Sequence, residues 1–272
     1  MTRQTTVRSD VDATDGRPVV IEAQQLEKIY AARDGKPVQA LAPVSLSIRE
    51  GEFLTIVGPS GCGKSTLLKI VAGLIPHTAG ELNFRGKPIS GPQRDMGIVF
   101  QSAILFPWRT VLDNVLLPID VLKLPRGQAR KRAEELLETV GLSEFATKYP
   151  NELSGGMQQR VSIARALVHD PAIVLMDEPF GALDAMTRES MNLEILRIWK
   201  QSKKTILFVT HSIPEAVFLG ERVVVMTPRP GRIAEIVTTN LHANRDLEAM
   251  SSPEFGQLTL RIRSHFNSRG IS

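Results

Sequence analysis

Four short stretches carry residue types that could do chemistry together. The run GPSGCGKST, residues 58–66, has Gly58, Gly63, Lys64 and Ser65 at the spacing of a phosphate-binding loop. Glycines let such a backbone wrap closely round an anion, so that its N–H groups and the positive end of the following helix point at the phosphates. Pro59, Ser60, Gly61 and Cys62 complete the wrap, with Cys62 reading as a small filler directed away from the ligand. Lys64 adds a mobile positive charge, the Ser65 hydroxyl can ligate Mg²⁺, and Thr66 is the next contact, toward an α-phosphate. The run IVLMDEP (173–179) ends in two adjacent carboxylates, which are costly there without a cation or water to meet. Asp177 suits Mg²⁺ held through water, and Glu178 suits taking a proton from a water that attacks the γ-phosphate. The run TILFVTHS (205–212) empties into Thr210 and His211. His211 there can hydrogen-bond the γ-phosphate or orient the attacking water, with a merely structural histidine as the competing reading. The fourth stretch, LSGGMQQR (153–160), is a second glycine turn at a helix start, carrying Ser154, Gly155 and Gly156. Standing alone, a serine N-cap opening an ordinary amphipathic helix accounts for it.

These side chains need elements to bring them together. The apolar runs FLTIV (53–57), IVLM (173–176), TILFV (205–209) and VVVM (223–226) each read as a strand buried on both faces, which implies a parallel sheet covered by helices. Between them, KSTLLKIVAGL puts Leu67, Leu68, Ile70, Val71 and Leu74 on one helical face, and ARKRAEELLETVGL does the same with Ala133, Leu136, Leu137 and Val140. Strand then helix, repeated, is α/β architecture. Open α/β sheets bind ligands at the carboxyl ends of their strands, where the phosphate loop, the acidic pair and His211 all fall. TILFVTHS is accordingly expected beside the phosphate-loop strand. Strand signals vanish between Gln101 and His169 and helical patterns take over, so a helical insertion is expected over about 102–170. Residues 1–20 read as a flexible tail, 21–237 as the folded domain and 238–272 as a C-terminal appendage.

Composition narrows the class. With 272 residues and 42% apolar content the chain can fill a substantial core. No apolar run approaches the ~20 residues of a membrane span, and the first residues lack the apolar stretch of a secretory signal, so a soluble cytosolic chain is expected. The single cysteine, Cys62, excludes an internal disulfide and a cysteine-built metal cage. A net charge of +4, from 33 basic against 29 acidic residues, is too balanced to imply nucleic acid. His77, His169, His242 and His265 lack ligand-like spacing. The basic stretch KLPRGQARKR (123–132) reads as a solvated helix start.

Taken in order, these elements resemble the ATP-binding subunit of an ATP-binding cassette (ABC) transporter, over about residues 21–235. LSGGMQQR is the most specific part, since the phosphate loop alone matches many unrelated nucleotide hydrolases. The resemblance implies a P-loop NTPase (RecA-like) core with an antiparallel β subdomain and a helical insertion, and ATP with Mg²⁺ as ligands. It also implies a dimer packed head to tail, each ATP lying between the P-loop of one chain and the glycine turn of the other. By resemblance, Tyr30 in LEKIY is the aromatic that stacks on adenine, although a strand-end core tyrosine reads equally well. Gln101 in GIVFQS matches the glutamine that reaches Mg²⁺ and the attacking water, and Asp184 in GALDAMT matches the loop that links the two sites. Gly181 stands where the family has a serine, so no hydroxyl contact is carried over there.

Phe106 and Trp108 in FPWRTVLDNV lie where family members meet the coupling helix of the membrane subunit, or else inside the insertion's core. The run RVVVMTPRPGRIAEIV (222–237) resembles importers of nitrate, sulfonates and taurine, with a plain hairpin whose PRPG is a turn as the alternative. The implied protein is peripheral on the cytoplasmic face of the membrane. It works as a homodimer with permease subunits and indirectly with a solute-binding protein, and without nucleic acid. The competing function is a non-transport ABC ATPase acting on nucleic acid or ribosomes, which usually carries a long coiled-coil insertion or two cassettes per chain.

Overall fold

Five strands run parallel in one sheet and set the phosphate loop, the acidic pair and His211 on a single edge. They are β3 (Phe53–Val57), β6 (Met96–Val99), β7 (Ile173–Asp177), β8 (Thr205–Thr210) and β9 (Arg222–Met226). The six-stranded sheet has the order β10-β9-β3-β8-β7-β6, where β10 (Ile233–Thr238) pairs antiparallel with β9. β8 lies beside β3 with Val57 opposite Thr210, as the sequence leads one to expect, and β7 follows with Asp177 opposite Val209. The computed structural model describes residues 16–31, 35–181, 183–241 and 245–267; most of the expected flexible tail, residues 1–15, lies outside them, as does His242.

Side chains alternate along these strands between two separate cores. Leu54, Ile56, Leu175, Leu207, Val209 and Val224 enter one with Leu67, Leu68, Ile70 and Val71 of α1 (Lys64–Val71). Phe53, Val57, Val174, Met176, Phe208 and Val225 enter the other, on the opposite face. That face is covered by α6 (Ala185–Ser202), α7 (Ile213–Leu219) and α8 (Pro253–Asn267). The first face is closed by a second sheet, β2-β1-β4-β5, built from β1 (Val19–Tyr30), β2 (Val38–Arg49), β4 (Ala79–Phe84) and β5 (Lys87–Pro88), all antiparallel.

Between β6 and β7 the described chain forms α2 (Val111–Val115), α3 (Leu117–Leu122), α4 (Arg126–Thr139) and α5 (Gly155–Leu167). Ala133, Leu137 and Val140 are buried there in a third core with Val111, Val115 and Val161, and Leu136 packs against it. One detail differs from the sequence reading. α1 stops at Val71, because Gly73 takes φ +70° where a Cβ would collide with the Gly91 carbonyl, and Leu74 is left 40% exposed. The C-terminal stretch with scattered apolar positions contains α8, which buries Phe255 and Ile262 in the second core. No helix among the described residues is long and apolar enough to cross a membrane.

Candidate functional site

β3 delivers the chain into the loop 58–63, and α1 carries it away with Lys64 as its first residue. Two glycines are fixed by space, and one of them by backbone as well. A Cβ on Gly58 would lie 2.8 Å from the Met226 carbonyl oxygen, and one on Gly63, at φ +98°, 2.7 Å from Leu41 Cδ2 and 2.9 Å from the Ala40 carbonyl oxygen. The loop is therefore packed against β9 and β2. Cys62 is fully buried, as a filler should be, and burial pushes its thiol pKa up. The Lys64 ammonium donates to the carbonyls of Gly58 at 2.9 Å and Pro59 at 3.2 Å, and lies 3.5 Å from Glu178 Oε1.

Opposite the loop, Ser65 Oγ donates to Asp177 Oδ1 at 2.7 Å. Burial raises the Asp177 pKa, the Ser65 hydrogen bond opposes that rise, and the Glu178 charge adds to it. A carboxylate held against desolvation beside a hydroxyl, with no base or thiol in the set, offers the hard oxygen donors that Mg²⁺ takes. Among the described residues no cluster of three or more His, Cys, Asp or Glu side chains could hold a metal alone.

Glu178 follows β7 with φ +45°, a left-handed backbone that a residue with a side chain adopts at a cost of about 1–3 kcal/mol. Its N–H donates to the Val209 carbonyl at 2.9 Å and its own carbonyl accepts from Gly181 N at 3.1 Å, which hold the turn. The carboxylate lies between Lys64 and His211, whose Nδ1 is 3.0 Å from Glu178 Oε2. Behind His211, Thr210 Oγ1 donates to Glu215 Oε2, while Glu215 Oε1 is buried without a partner. Burial raises the Glu215 pKa against the opposing pull of Thr210 and Arg188.

Tyr30, Val38, Ala40, Ser60, Gly61, Gly63, Lys64, Ser65, Thr66, Gln101, Glu178 and Arg229 line one open cleft of about 440 Å³. Tyr30 is 40% exposed with Lys28 Nζ 5.0 Å from its ring centre, which disfavours the core-tyrosine reading. Val38, Ala40 and Arg229 were not singled out by sequence. The signal that finds Arg229 is its position after β9, whose carboxyl end opens on the same sheet edge as β3.

Ser154, Gly155, Gly156 and Asp184 do not line this cleft. Ser154 caps α5, its Oγ accepting from Met157 N at 3.3 Å, so the ordinary capping role is present. Accepting that bond leaves the hydroxyl proton to donate elsewhere. Gly155 and Ser154 are exposed, and a Cβ on Gly155 would meet nothing within 4 Å. Asp184 caps α6, its Oδ1 accepting from Thr187 N at 3.0 Å and its Oδ2 from Thr187 Oγ1 at 2.6 Å, bonds that lower its pKa. α5 is also tied to the segment after β6, since Gln159 Nε2 donates to the Phe100 carbonyl at 2.9 Å, one residue before Gln101.

Strand, glycine loop, helix and acidic strand end at the edge of a parallel sheet define a P-loop nucleotide hydrolase. A family model described as "ABC transporter" matches residues 41–181. The taurine import ATP-binding protein of Roseobacter denitrificans is 49% identical over 240 residues, 87% of this chain and 90% of that protein. The aliphatic sulfonates import ATP-binding protein of Bacillus thuringiensis subsp. konkukian is 42% identical over 253 residues, 93% and 98% of the two chains. Among solved structures, a dimeric post-hydrolysis state of the ATP-binding cassette MJ0796 bound to ADP and Pi matches with a TM-score of 0.73 at 36% identity, covering 82% of this chain and all of that one. This chain belongs to the ABC transporter family, as one of its ATP-hydrolysing cassette subunits.

Proposed function

We propose that this subunit powers the import of a small oxyanionic solute, an organic sulfonate such as taurine or a close relative such as nitrate, through a separate permease. The names of its relatives support the solute class. The observation that carries the chemistry is the Glu178 carboxylate, held between Lys64 and His211 at the mouth of the loop cleft.

The loop from Gly58 to Gly63, with Pro59, Ser60, Gly61 and Cys62, wraps the β- and γ-phosphates. Lys64 turns from the loop carbonyls to them, and Thr66 takes the α-phosphate. Tyr30 stacks on the adenine. Ser65, Asp177 and Gln101 would hold Mg²⁺, which when bound neutralises charge on the phosphate oxygens. Glu178 receives the proton of the attacking water as its oxygen bonds the γ-phosphorus and the bond to ADP breaks, releasing phosphate. His211 holds the Glu178 carboxylate in line.

The cleft is open on one side, and two copies of this chain would close it head to tail. Ser154 of the second copy then donates to a γ-oxygen, with Gly155 and Gly156 allowing close approach at the positive end of α5. Asp184 lies between the two sites. Trp108, 72% exposed and stacked on Phe106 at 5.1 Å between ring centres, is an anchor for the permease, placing the subunit at the cytoplasmic face of the membrane. A solute-binding protein feeds the permease, and no step needs nucleic acid.

The test is reconstitution in liposomes with the permease that co-purifies from membranes. ATP-driven uptake of an organic sulfonate or nitrate is expected, and Glu178→Gln should keep ATP binding, trap a dimer and abolish both hydrolysis and uptake. Steady hydrolysis by that variant overturns the base, and hydrolysis without uptake of any such anion overturns the solute class.

A further inference from the structure

We infer that Arg229 is an additional nucleotide-binding residue, its guanidinium facing the phosphates from the turn between β9 and β10. The inference rests on the reading of the cleft as the nucleotide site.

β9 runs parallel to β3, so the turn that follows it emerges beside the loop that follows β3. That turn is tied down on three sides. Thr227 N donates to the Arg232 carbonyl at 2.9 Å, and Arg232 N donates to Thr227 Oγ1 at 3.2 Å, closing it on itself. Gly231 N donates to the Ala40 carbonyl at 3.0 Å and Ala42 N to the Gly231 carbonyl at 3.0 Å, which stitch it into β2. Gly231 also lies so close to the Cys62 carbonyl that no Cβ fits between them. The turn is thus built onto the phosphate loop, and its Arg229 side chain lines the cleft.

Arg229 Nη2 comes within 3.9 Å of where a Cβ on Gly61 would stand, so the guanidinium lies against the rim of the loop itself. Among the described residues no hydrogen bond or ion pair engages it. By contrast Arg222, at the start of β9, is spent on Glu52 at 3.0 Å, and Arg109 and Arg126 both pair with Asp120. A planar cation with five donors, standing unpaired over a loop of backbone N–H groups, matches a polyphosphate. Its contact is with phosphate oxygens present in ATP and ADP alike, and no ion pair joins it to the Glu178 carboxylate, which is paired with Lys64 and His211 instead. It therefore strengthens binding of both nucleotides equally, which changes affinity and KM and leaves kcat alone.

Binding of fluorescent ATP and ADP analogues to the full chain tests this. Arg229→Ala should weaken both about tenfold, the size expected for losing one partly solvated charge-assisted contact. Arg229→Lys should recover part of that, and inorganic triphosphate should displace the analogues correspondingly less well from Arg229→Ala. KM for ATP should rise by a similar factor with kcat within about twofold of wild type, and the melting temperature should not move. Unchanged affinities for Arg229→Ala would overturn the inference. So would a loss confined to nucleotides with no change in displacement by triphosphate, which would mean contact with the base. Lys64→Ala separates the two readings. If it binds nucleotide like the wild type, the cleft is not the site; if it loses binding while Arg229→Ala does not, only the role of Arg229 falls.

Discussion

At the scale of single residues, the site depends on a carboxylate kept in place by its neighbours. Glu178 takes a left-handed backbone, and its side chain meets Lys64 on one side and His211 on the other. His211 Nδ1 lies 3.0 Å from Glu178 Oε2, which favours positioning of the base over contact with the γ-phosphate. His211→Ala should therefore lower turnover at least ~100-fold, within the range general-base catalysis supplies, while leaving the ATP dissociation constant within about threefold. A stopped-flow binding measurement beside steady-state hydrolysis checks it, and a large affinity loss would return the histidine to the phosphate. Glu178 and His211 were legible because each ends an apolar run in a sheet whose ligand edge is known in advance. Arg229 was not, because PRPG reads locally as a turn and nothing in four residues says that the turn is stitched to β2 and the phosphate loop. Glu215 was hidden likewise, since only the packed helix shows that its carboxyl is buried against Thr210.

At the scale of elements, four of the five parallel strands were readable almost to the residue, because burial on both faces demands unbroken apolar runs, whereas β6 is only four residues long and interrupted by Gly97 and was missed. The antiparallel sheet came only through family resemblance. β1 carries an irregularity between Gln24 and Glu27, with Gln25 at φ +48°, and such a bulge breaks the alternation that marks a half-buried strand. The phosphate loop is held between these sheets, so its glycines are structural as well as chemical. Gly63→Ala forces an alanine to φ +98° and pushes its Cβ onto Leu41 and Ala40, costing about 2–4 kcal/mol from backbone strain and overpacking together. Calorimetry should show a melting temperature lower by at least ~5 °C, accompanied by weaker nucleotide binding. The junction of β8 and α7 makes a separate claim about pH. Burial raises the Glu215 pKa, so the folded chain holds this proton more tightly than the unfolded chain, and stability falls as pH rises above the ordinary glutamate value of 4.5. Glu215→Gln should match the wild type below that pH and become progressively more stable than it above, until Glu215 has ionised in the folded wild type. Melting temperatures of both proteins from about pH 4 to 8 decide it, and a constant difference would mean that Glu215 does not titrate differently on folding.

At the scale of the whole molecule, an open cleft and an exposed glycine turn elsewhere on the same chain support the proposal of a site shared between two copies. The Ser154 turn lines no part of the cleft in its own chain, whereas Lys64, Ser65, Thr66, Gln101 and Glu178 do. If two copies close head to tail, a chain without its P-loop lysine still carries a sound glycine turn, and a chain with a ruined turn still carries a sound P-loop. Lys64→Ala and Gly155→Asp proteins, each inactive alone, should therefore regain hydrolysis when mixed, because each mixed dimer contains one intact site and one doubly damaged site. With random pairing half of the dimers are mixed, so recovery should approach about a quarter of wild-type turnover if the two sites work independently, and less if each needs the other. Recovery should also vanish on dilution, as pairing is lost by mass action. Wild-type turnover by Gly155→Asp alone, or undiminished turnover by wild-type chains diluted to monomers, would mean that each chain hydrolyses with its own residues alone and that the turn at Ser154 is no more than the cap of α5.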